Sequence, residues 1–192
     1  DQESQGLAGP VDGGEVCLVA RGNAISAKPD NVRLMEVDNP KPAMADISRI
    51  FNGEPLSAMK VIGITGTNGK TTTSQMLDSI LTQMGARTGV VGTIGIFYPS
   101  GKQEAGHLSN PMAPELFQIG RQMEQEGVEY LTMEVTSHAM AFERNHAIDF
   151  DIAIFTNLTQ DHLDYHKTLE AYKQSKLKYF QQLGKKEKKA YG

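Results

Sequence analysis

The chain has 192 residues, enough for one medium domain or for one domain and part of a second. Hydrophobic residues make up 39% and charged residues 22%, with a formal net charge of -4, which excludes a nucleic-acid binder driven by bulk positive charge. No apolar run is long enough to span a bilayer and no signal peptide leads the chain, so no membrane partner is expected. The lysine cluster Lys185, Lys186, Lys188 and Lys189 reads as a solvated patch on an acidic chain. Cys17 is the single cysteine and cannot form an internal disulfide, which fits a reducing compartment. It sits in the apolar run 16–20 and reads as a buried strand residue. The chain begins at Asp1 rather than Met, from which an absent N-terminal portion is expected.

Residues 1–14 are polar and Gly-rich and read as a loop or frayed end. Strands are predicted at 15–20 and 32–37, then a turn over 38–42. A helix follows over 43–51, with Met44, Ile47 and Ile50 at helical spacing. Asn52-Gly53-Glu54-Pro55 ends it, and a domain boundary is expected near 52–58. From Met59 the rhythm becomes strand, Gly-rich loop, helix. Strands are predicted at 60–65, 88–94, 130–135 and 150–156, and helices at 71–84, 114–125 and 168–183. The apolar face of 71–84 is expected to comprise Thr73, Met76, Leu77, Ile80, Leu81 and Met84. Strands alternating with helices predict an α/β fold with a parallel-type sheet flanked by helices.

The strongest local signal is Gly63-Ile64-Thr65-Gly66-Thr67-Asn68-Gly69-Lys70-Thr71, after a strand and before a helix. Small residues there let backbone N–H groups approach phosphate oxygens, and a helix N-terminus favours negative charge. Lys70 would neutralise the β- and γ-phosphates, and the Thr71 hydroxyl would ligate Mg²⁺. The spacing departs from G-x-x-x-x-G-K-[ST], because position 64 is Ile. Glu134 stands near the end of a predicted strand, where a carboxylate faces the phosphate site of an open α/β sheet. His162 and His166 have i, i+4 spacing; this could suit Zn²⁺ on a helix, but no third ligand is evident. On the last helix, Leu169, Tyr172, Lys176 and Phe180 form one stripe facing the protein, so Lys176 is either snorkelling or functional.

Taken together, G-I-T-G-T-N-G-K-T-T-T at 63–73, M-E-V-T-S-H-A at 133–139, T-N-L-T-Q-D-H-L-D-Y-H at 156–166 and A-Y-x-x-x-K at 171–176 resemble the Mur ligases, and among these the MurE type. The resemblance covers about residues 30–192. It implies a P-loop central ATPase domain over 58–192, incomplete, preceded over 1–57 by the C-terminal part of a small UDP-binding α/β domain. The central domain would continue past Gly192 and a C-terminal domain would follow, leaving this fragment alone inactive. The implied reaction is ATP-dependent addition of a diamino acid, L-lysine or meso-diaminopimelate, to UDP-MurNAc-L-Ala-D-Glu through an acyl phosphate, in cytoplasmic peptidoglycan precursor synthesis by a monomer. Two Mg²⁺ ions would assist.

By the same resemblance, ATP would be held by Gly66, Thr67, Asn68, Gly69, Lys70, Thr71, Thr72 and Asn157, with Asp161 also lining the ATP side. Thr71 and Glu134 would hold the first Mg²⁺, and His162 would serve the second, an unusual ligand for a hard cation. Lys176 would be carbamylated by CO₂ to become an anionic ligand of that second ion. The catalytic set is then Lys70, Glu134, His162 and Lys176, with His166 structural or near the site. Ser109, Asn110, Thr136 and Arg144 would contact the nucleotide-sugar peptide. Ser109-Asn110-Pro111 stands where the family usually has Thr-Thr-Pro, Thr136 replaces a usual Ser, and Phe142 occupies an often polar position with no assigned role. Rival readings are another ligase of the superfamily (MurF, folylpolyglutamate or cyanophycin type) and a Mur-like protein that binds nucleotide without ligating.

Overall fold

The structure is a computed structural model that describes residues 10–11, 14–21, 32–101, 103–104, 109–161 and 163–183. The lysine cluster at 185–189, His162 and most of the expected N-terminal loop lie outside the described residues.

The described residues form two sheets. In the first, β1 (Pro10–Val11) pairs antiparallel with β2 (Gly14–Ala20), which runs parallel to β3 (Val32–Val37). Pro10 and Val11 were expected in a loop; they instead form a short hairpin arm opposite Glu15 and Gly14. Cys17 pairs with Leu34 as a strand residue, and its side chain lies outside the described residues. Helix α1 (Pro40–Phe51) starts earlier than predicted, inside the segment read as a turn. The Asn39 side chain accepts from the Lys41 N–H, and Pro40 needs no N–H of its own at the first helical position. After α1 a 3₁₀ turn (Pro55–Ala58) leads to β4.

The second sheet is built from β4 (Lys60–Thr65), β5 (Thr88–Gly92), β6 (Gly95–Phe97), β7 (Gln103–Glu104), β8 (Tyr130–Glu134) and β9 (Ile152–Phe155). Its order is β7-β6-β5-β8-β4-β9. β5, β8, β4 and β9 are mutually parallel, so the loops after all four leave at one edge. The stretch predicted as one strand over 88–94 ends at Gly92, turns through Thr93 and Ile94, and returns antiparallel as β6, with Gly92 opposite Gly95. Apolar run length alone carries no signal for such a reversal. β9 is the outer strand of the described sheet, and its Ile152 and Phe155 are 46% and 48% exposed.

The crossovers are α2 (Lys70–Gln83), α3 (Ala113–Gln125) and the short α4 (Ser137–Ala141), with α5 (Leu163–His166) and α6 (Leu169–Gln182) after β9. α3 buries Leu116, Phe117, Ile119 and Met123 on the core formed by Val61, Leu131, Met133 and Val135. α2 differs from the expected face: it buries Ser74, while Met76, Ile80 and Met84 point outward. These three recur every fourth residue, which makes a stripe but does not say which way it faces. α6 is likewise rotated from the predicted stripe. It buries Tyr172, Ser175, Lys176 and Tyr179, whereas Leu169 is 47% exposed. Tyr179 packs edge-on to Phe150 at 4.9 Å and donates to the Ile152 carbonyl at 3.3 Å; burial pushes its phenol pKa up. No helix among the described residues is long and apolar enough to cross a membrane.

Leu131 is fully buried at the centre of β8. Leu131→Ala is expected to lower unfolding free energy by roughly 2–5 kcal/mol, while Met84→Ala, at an exposed position, changes it by less than about 0.5 kcal/mol. Urea denaturation of both variants checks this; equal effects would mean that the core is not centred on β8.

Candidate functional site

The nucleotide-type loop leaves the buried end of β4 at Thr65. Gly66 has φ +149°, and a Cβ there would lie 1.9 Å from Thr156 Oγ1, so only glycine fits. Gly69, at φ +84°, caps α2, whose first turn supplies N–H groups that have no partner within the helix. The segment after β9 braces this loop from the side. Thr67 N–H donates to the Asn157 carbonyl at 2.9 Å, and Asn68 N–H to Asn157 Oδ1 at 3.0 Å. Asn157 Nδ2 and Thr156 Oγ1 both donate to the Asn68 carbonyl, at 3.0 and 2.7 Å. The Thr67 hydroxyl donates to the Thr159 carbonyl and accepts from Thr159 N–H and from the Tyr172 hydroxyl, at 3.1, 2.9 and 3.2 Å. Asn157, expected to meet ATP, thus spends its amide on the loop backbone.

Two lysines converge on one carbonyl. Lys70 donates to the Gly66 carbonyl at 3.0 Å and the Thr67 carbonyl at 2.9 Å, folding back onto its own loop. Lys176, 3% exposed, crosses from α6 to the same Gly66 carbonyl at 3.0 Å, with its ammonium 4.5 Å from the Tyr172 ring centroid. Burial lowers the Lys70 pKa, opposed by the negative charge of Glu134 and then of Asp161. Burial, and then the neighbouring Lys70, bring Lys176 down to about 8, with Asp161 acting in the other direction. An anion bridging the two lysines would relieve the repulsion that each feels from the other.

The third component is Glu134, fully buried at the end of β8. Its Oε1 accepts from the Thr71 hydroxyl at 2.9 Å and from Thr93 N–H at 2.9 Å; its Oε2 accepts from the Thr93 hydroxyl at 2.8 Å. Thr71 and Glu134 are hard oxygen donors side by side, a set that suits Mg²⁺ completed by phosphate and water oxygens. The described residues hold no group of three or more His, Cys, Asp or Glu suited to a metal, and a phosphate-borne Mg²⁺ requires none. Lys176 as an ammonium has no lone pair to offer a metal.

The predicted substrate contacts fall out differently. Asn110, 2% exposed, donates from Nδ2 to the Glu134 carbonyl at 2.6 Å and accepts at Oδ1 from Thr136 N–H at 2.9 Å. It ties the end of β8 to its own loop, leaving little of its amide for a substrate. The Thr136 hydroxyl caps α4, accepting from Ala139 N–H at 3.1 Å. Ser109 remains half-buried and lies 2.9 Å from the Thr93 hydroxyl. Arg144 stacks its guanidinium 5.5 Å from the Phe142 ring centroid, and Lys41 stands 4.8 Å from that same ring. Phe142 therefore gathers two cations that spacing could not have paired. His166 packs its ring 5.2 Å from Tyr172 and 5.8 Å from His138, within an aromatic cluster that includes Tyr165. Thr72 is exposed on the first turn of α2. Thr93, Thr156 and Tyr172 are contributors that the sequence reading did not assign to the site. The signals for them were a threonine between Gly92 and Gly95 and two hydroxyl residues inside the quoted motifs, at 156 and 172.

The profile of the family described as Mur ligase middle domain matches residues 64–191. The UDP-N-acetylmuramoyl-L-alanyl-D-glutamate--2,6-diaminopimelate ligase of Geobacillus thermodenitrificans is 41% identical over 174 residues, 91% of this chain and 35% of that protein. The protein of the same name from Bacillus licheniformis is 45% identical over 156 residues, 80% of this chain and 31% of that protein. A solved structure of a ligase with that name superposes with a TM-score of 0.62 at 26% identity, over 80% of this chain and 31% of that one. The chain thus spans about a third of the length of these relatives. With a profile match over 64–191 and the motif residues gathered at one sheet edge, the chain belongs to the Mur ligase family.

Proposed function

We propose that this chain is the nucleotide-binding part of an ATP-dependent ligase that adds a diamino acid to UDP-MurNAc-L-Ala-D-Glu in peptidoglycan precursor synthesis. The observation that carries the reading is the convergence of Lys70 and Lys176 on the Gly66 carbonyl, beside the Thr71–Glu134 pair. The names of the relatives favour diaminopimelate as the amine and support the MurE type over MurF or folylpolyglutamate ligases. In this reading residues 1–57 close a UDP-binding domain and 58–192 begin the ATPase domain of a cytoplasmic, monomeric enzyme.

The first-turn N–H groups of α2 receive the ATP phosphates, while the Thr67 and Asn68 N–H groups stay on Asn157. Lys70 exchanges its two neutral carbonyl acceptors for a charged phosphate oxygen, a stronger hydrogen bond. A carboxylate oxygen of the D-Glu residue attacks the γ-phosphorus as the bridging oxygen leaves with ADP. The diamino acid's amine then attacks the acyl carbon, phosphate leaves, and the nitrogen sheds a proton. Thr71 and Glu134 would hold Mg²⁺, which when bound would supply positive charge against that building on the phosphoryl oxygens. His162 is proposed for a second ion. Lys176, with its pKa near 8, has an accessible neutral amine. Its nitrogen would attack CO₂ and lose a proton, giving an anionic carbamate that could hold the second ion. Arg144 is proposed to contact the nucleotide sugar, with Ser109, Asn110 and Thr136 nearby; the occupied amide of Asn110 favours Ser109 as the direct contact.

In the full-length polypeptide, ATP hydrolysis is expected to require both the UDP-MurNAc-dipeptide and the diamino acid. Lys70→Ala should reduce it by roughly 10²-fold or more. Near-normal turnover in that variant would overturn the assignment, and phosphate release independent of substrate would favour a nucleotide-binding protein that does not ligate.

Lys176→Ala is expected to lose most activity, with partial recovery in acetate or formate, which replace the carbamate oxygens. Wild-type turnover of this variant in CO₂-depleted buffer would remove the carbamate from the mechanism.

The buried lysine also leaves a mark on stability. The unfolded chain keeps a proton on Lys176 up to about 10.5, and the folded chain releases it near 8. Unfolding therefore takes up a proton between those values, and this residue's contribution to stability rises with pH across that window. Urea unfolding at pH 7.5 and 9.5 should show the rise in wild type relative to Lys176→Met, by on the order of 1 kcal/mol. Parallel behaviour of the two proteins would mean the amine is solvated.

A further inference from the structure

The Glu134 carboxylate is held mainly by a residue outside the recognised motifs. Thr93, in the two-residue turn between β5 and β6, grips it twice, by N–H to Oε1 at 2.9 Å and by hydroxyl to Oε2 at 2.8 Å. Two donors from one residue, one on each oxygen, fix the rotation of the carboxylate plane. The preceding residue makes room for this contact. A Cβ at Gly92 would stand 2.5 Å from Glu134 Oε1, so a side chain there would push the carboxylate away. With rotation fixed, Oε1 faces Thr71, the other oxygen donor of the pair.

The direction of the hydrogen bonds follows from counting protons. The Thr93 hydroxyl has one proton and gives it to Glu134, so in its 2.9 Å contact with Ser109 it accepts and Ser109 donates. A chain runs Ser109 to Thr93 to Glu134 to Thr71, reversing direction at the carboxylate. It links the loop before α3 to the nucleotide loop.

We propose that Thr93 is a positioning residue for metal binding, presenting the Glu134 carboxylate in the orientation that a phosphate-bound divalent cation needs, with Ser109 holding Thr93 in turn. This rests on the reading of Glu134 as a ligand of the first ion. Thr93 lies on an exposed turn, so its substitution leaves the core untouched.

The experiment measures Mn²⁺ affinity by electron paramagnetic resonance in the ADP complex of the full-length polypeptide, and ADP affinity separately in EDTA. Thr93→Val keeps the shape and the N–H but loses the hydroxyl; it should weaken Mn²⁺ binding by about 10-fold or more, as loss of a partner behind a metal ligand does. Thr93→Ser should stay within about 3-fold of wild type, and Ser109→Ala should fall between Thr93→Ser and Thr93→Val. ADP affinity without metal should be the same in all. Glu134→Gln separates the two levels of the argument. If it leaves Mn²⁺ affinity unchanged, the metal reading of Glu134 fails and this proposal with it. If Glu134→Gln weakens Mn²⁺ binding but Thr93→Val does not, or if serine fails to restore it, the proposal alone is overturned. Loss of metal-free ADP binding in Thr93→Val would mean that Thr93 supports the fold of the loop rather than the metal, which also overturns it.

Discussion

The contact between the backbone at Gly66 and the threonine after β9 governs the rest of the site. Thr156 occupies the space that any side chain at 66 would need, and its hydroxyl holds the Asn68 carbonyl. Two parallel strands of one sheet thereby grip a single loop from two directions, β4 by continuity and β9 by hydrogen bonds through Asn157 and Thr159. A phosphate-binding loop works by aiming backbone N–H groups, and a backbone that could rotate would aim nothing. Precision here comes from neighbouring elements rather than from the loop's own composition, which is mostly small residues.

The electrostatics follow from that grip. Held in place, the Gly66 carbonyl becomes the common acceptor for Lys70 and Lys176, two cations that repel one another. Each lysine is fastened to neutral carbonyl oxygens, weaker partners than a charged phosphate oxygen. Glu134 is the opposite case: a fully buried carboxylate satisfied by three donors, already oriented. The site thus joins two lysines held by neutral acceptors with a carboxylate that is already oriented.

Much of this was legible in the residues, for reasons that differ by element. β4, β8 and α3 announced themselves because their apolar patterns are set by burial on known periods. Lys70, Thr71 and Glu134 were legible because strand-loop-helix order puts strand ends and helix starts together. Lys176 was found through an apolar stripe on α6 whose register was off by one residue at its far end, Tyr179 rather than Phe180 being the fully buried ring. What escaped depends on pairing at long range. The reversal at Gly92 and Gly95, the role of Thr93, and the engagement of Asn110 by the end of β8 all depend on what lies across the sheet. Spacing along one strand does not contain that information. The domain division at 57 and the substrate-facing role of Arg144 remain readings of the resemblance rather than of geometry.

The placement of β4 between β8 and β9 has a consequence for how the molecule is made. The Val61 N–H donates to the Asp151 carboxylate across a sequence separation of 90 residues, and Thr156 reaches the Thr65 carbonyl across 91. The central strand therefore leaves the ribosome before either flanking strand exists, and at ordinary elongation rates the wait for β9 is on the order of 5 to 20 s, with β8 arriving somewhat sooner. Until β8 arrives, a nearly continuous apolar segment, Val61 to Ile64, has both hydrogen-bonding edges open. Helix α2 can form meanwhile from local contacts, but its N-terminus has no braced loop to present. The loop after β4 thus matures only once residues 156–159 have emerged, and until then this is a segment on which a chaperone or a stray strand could act.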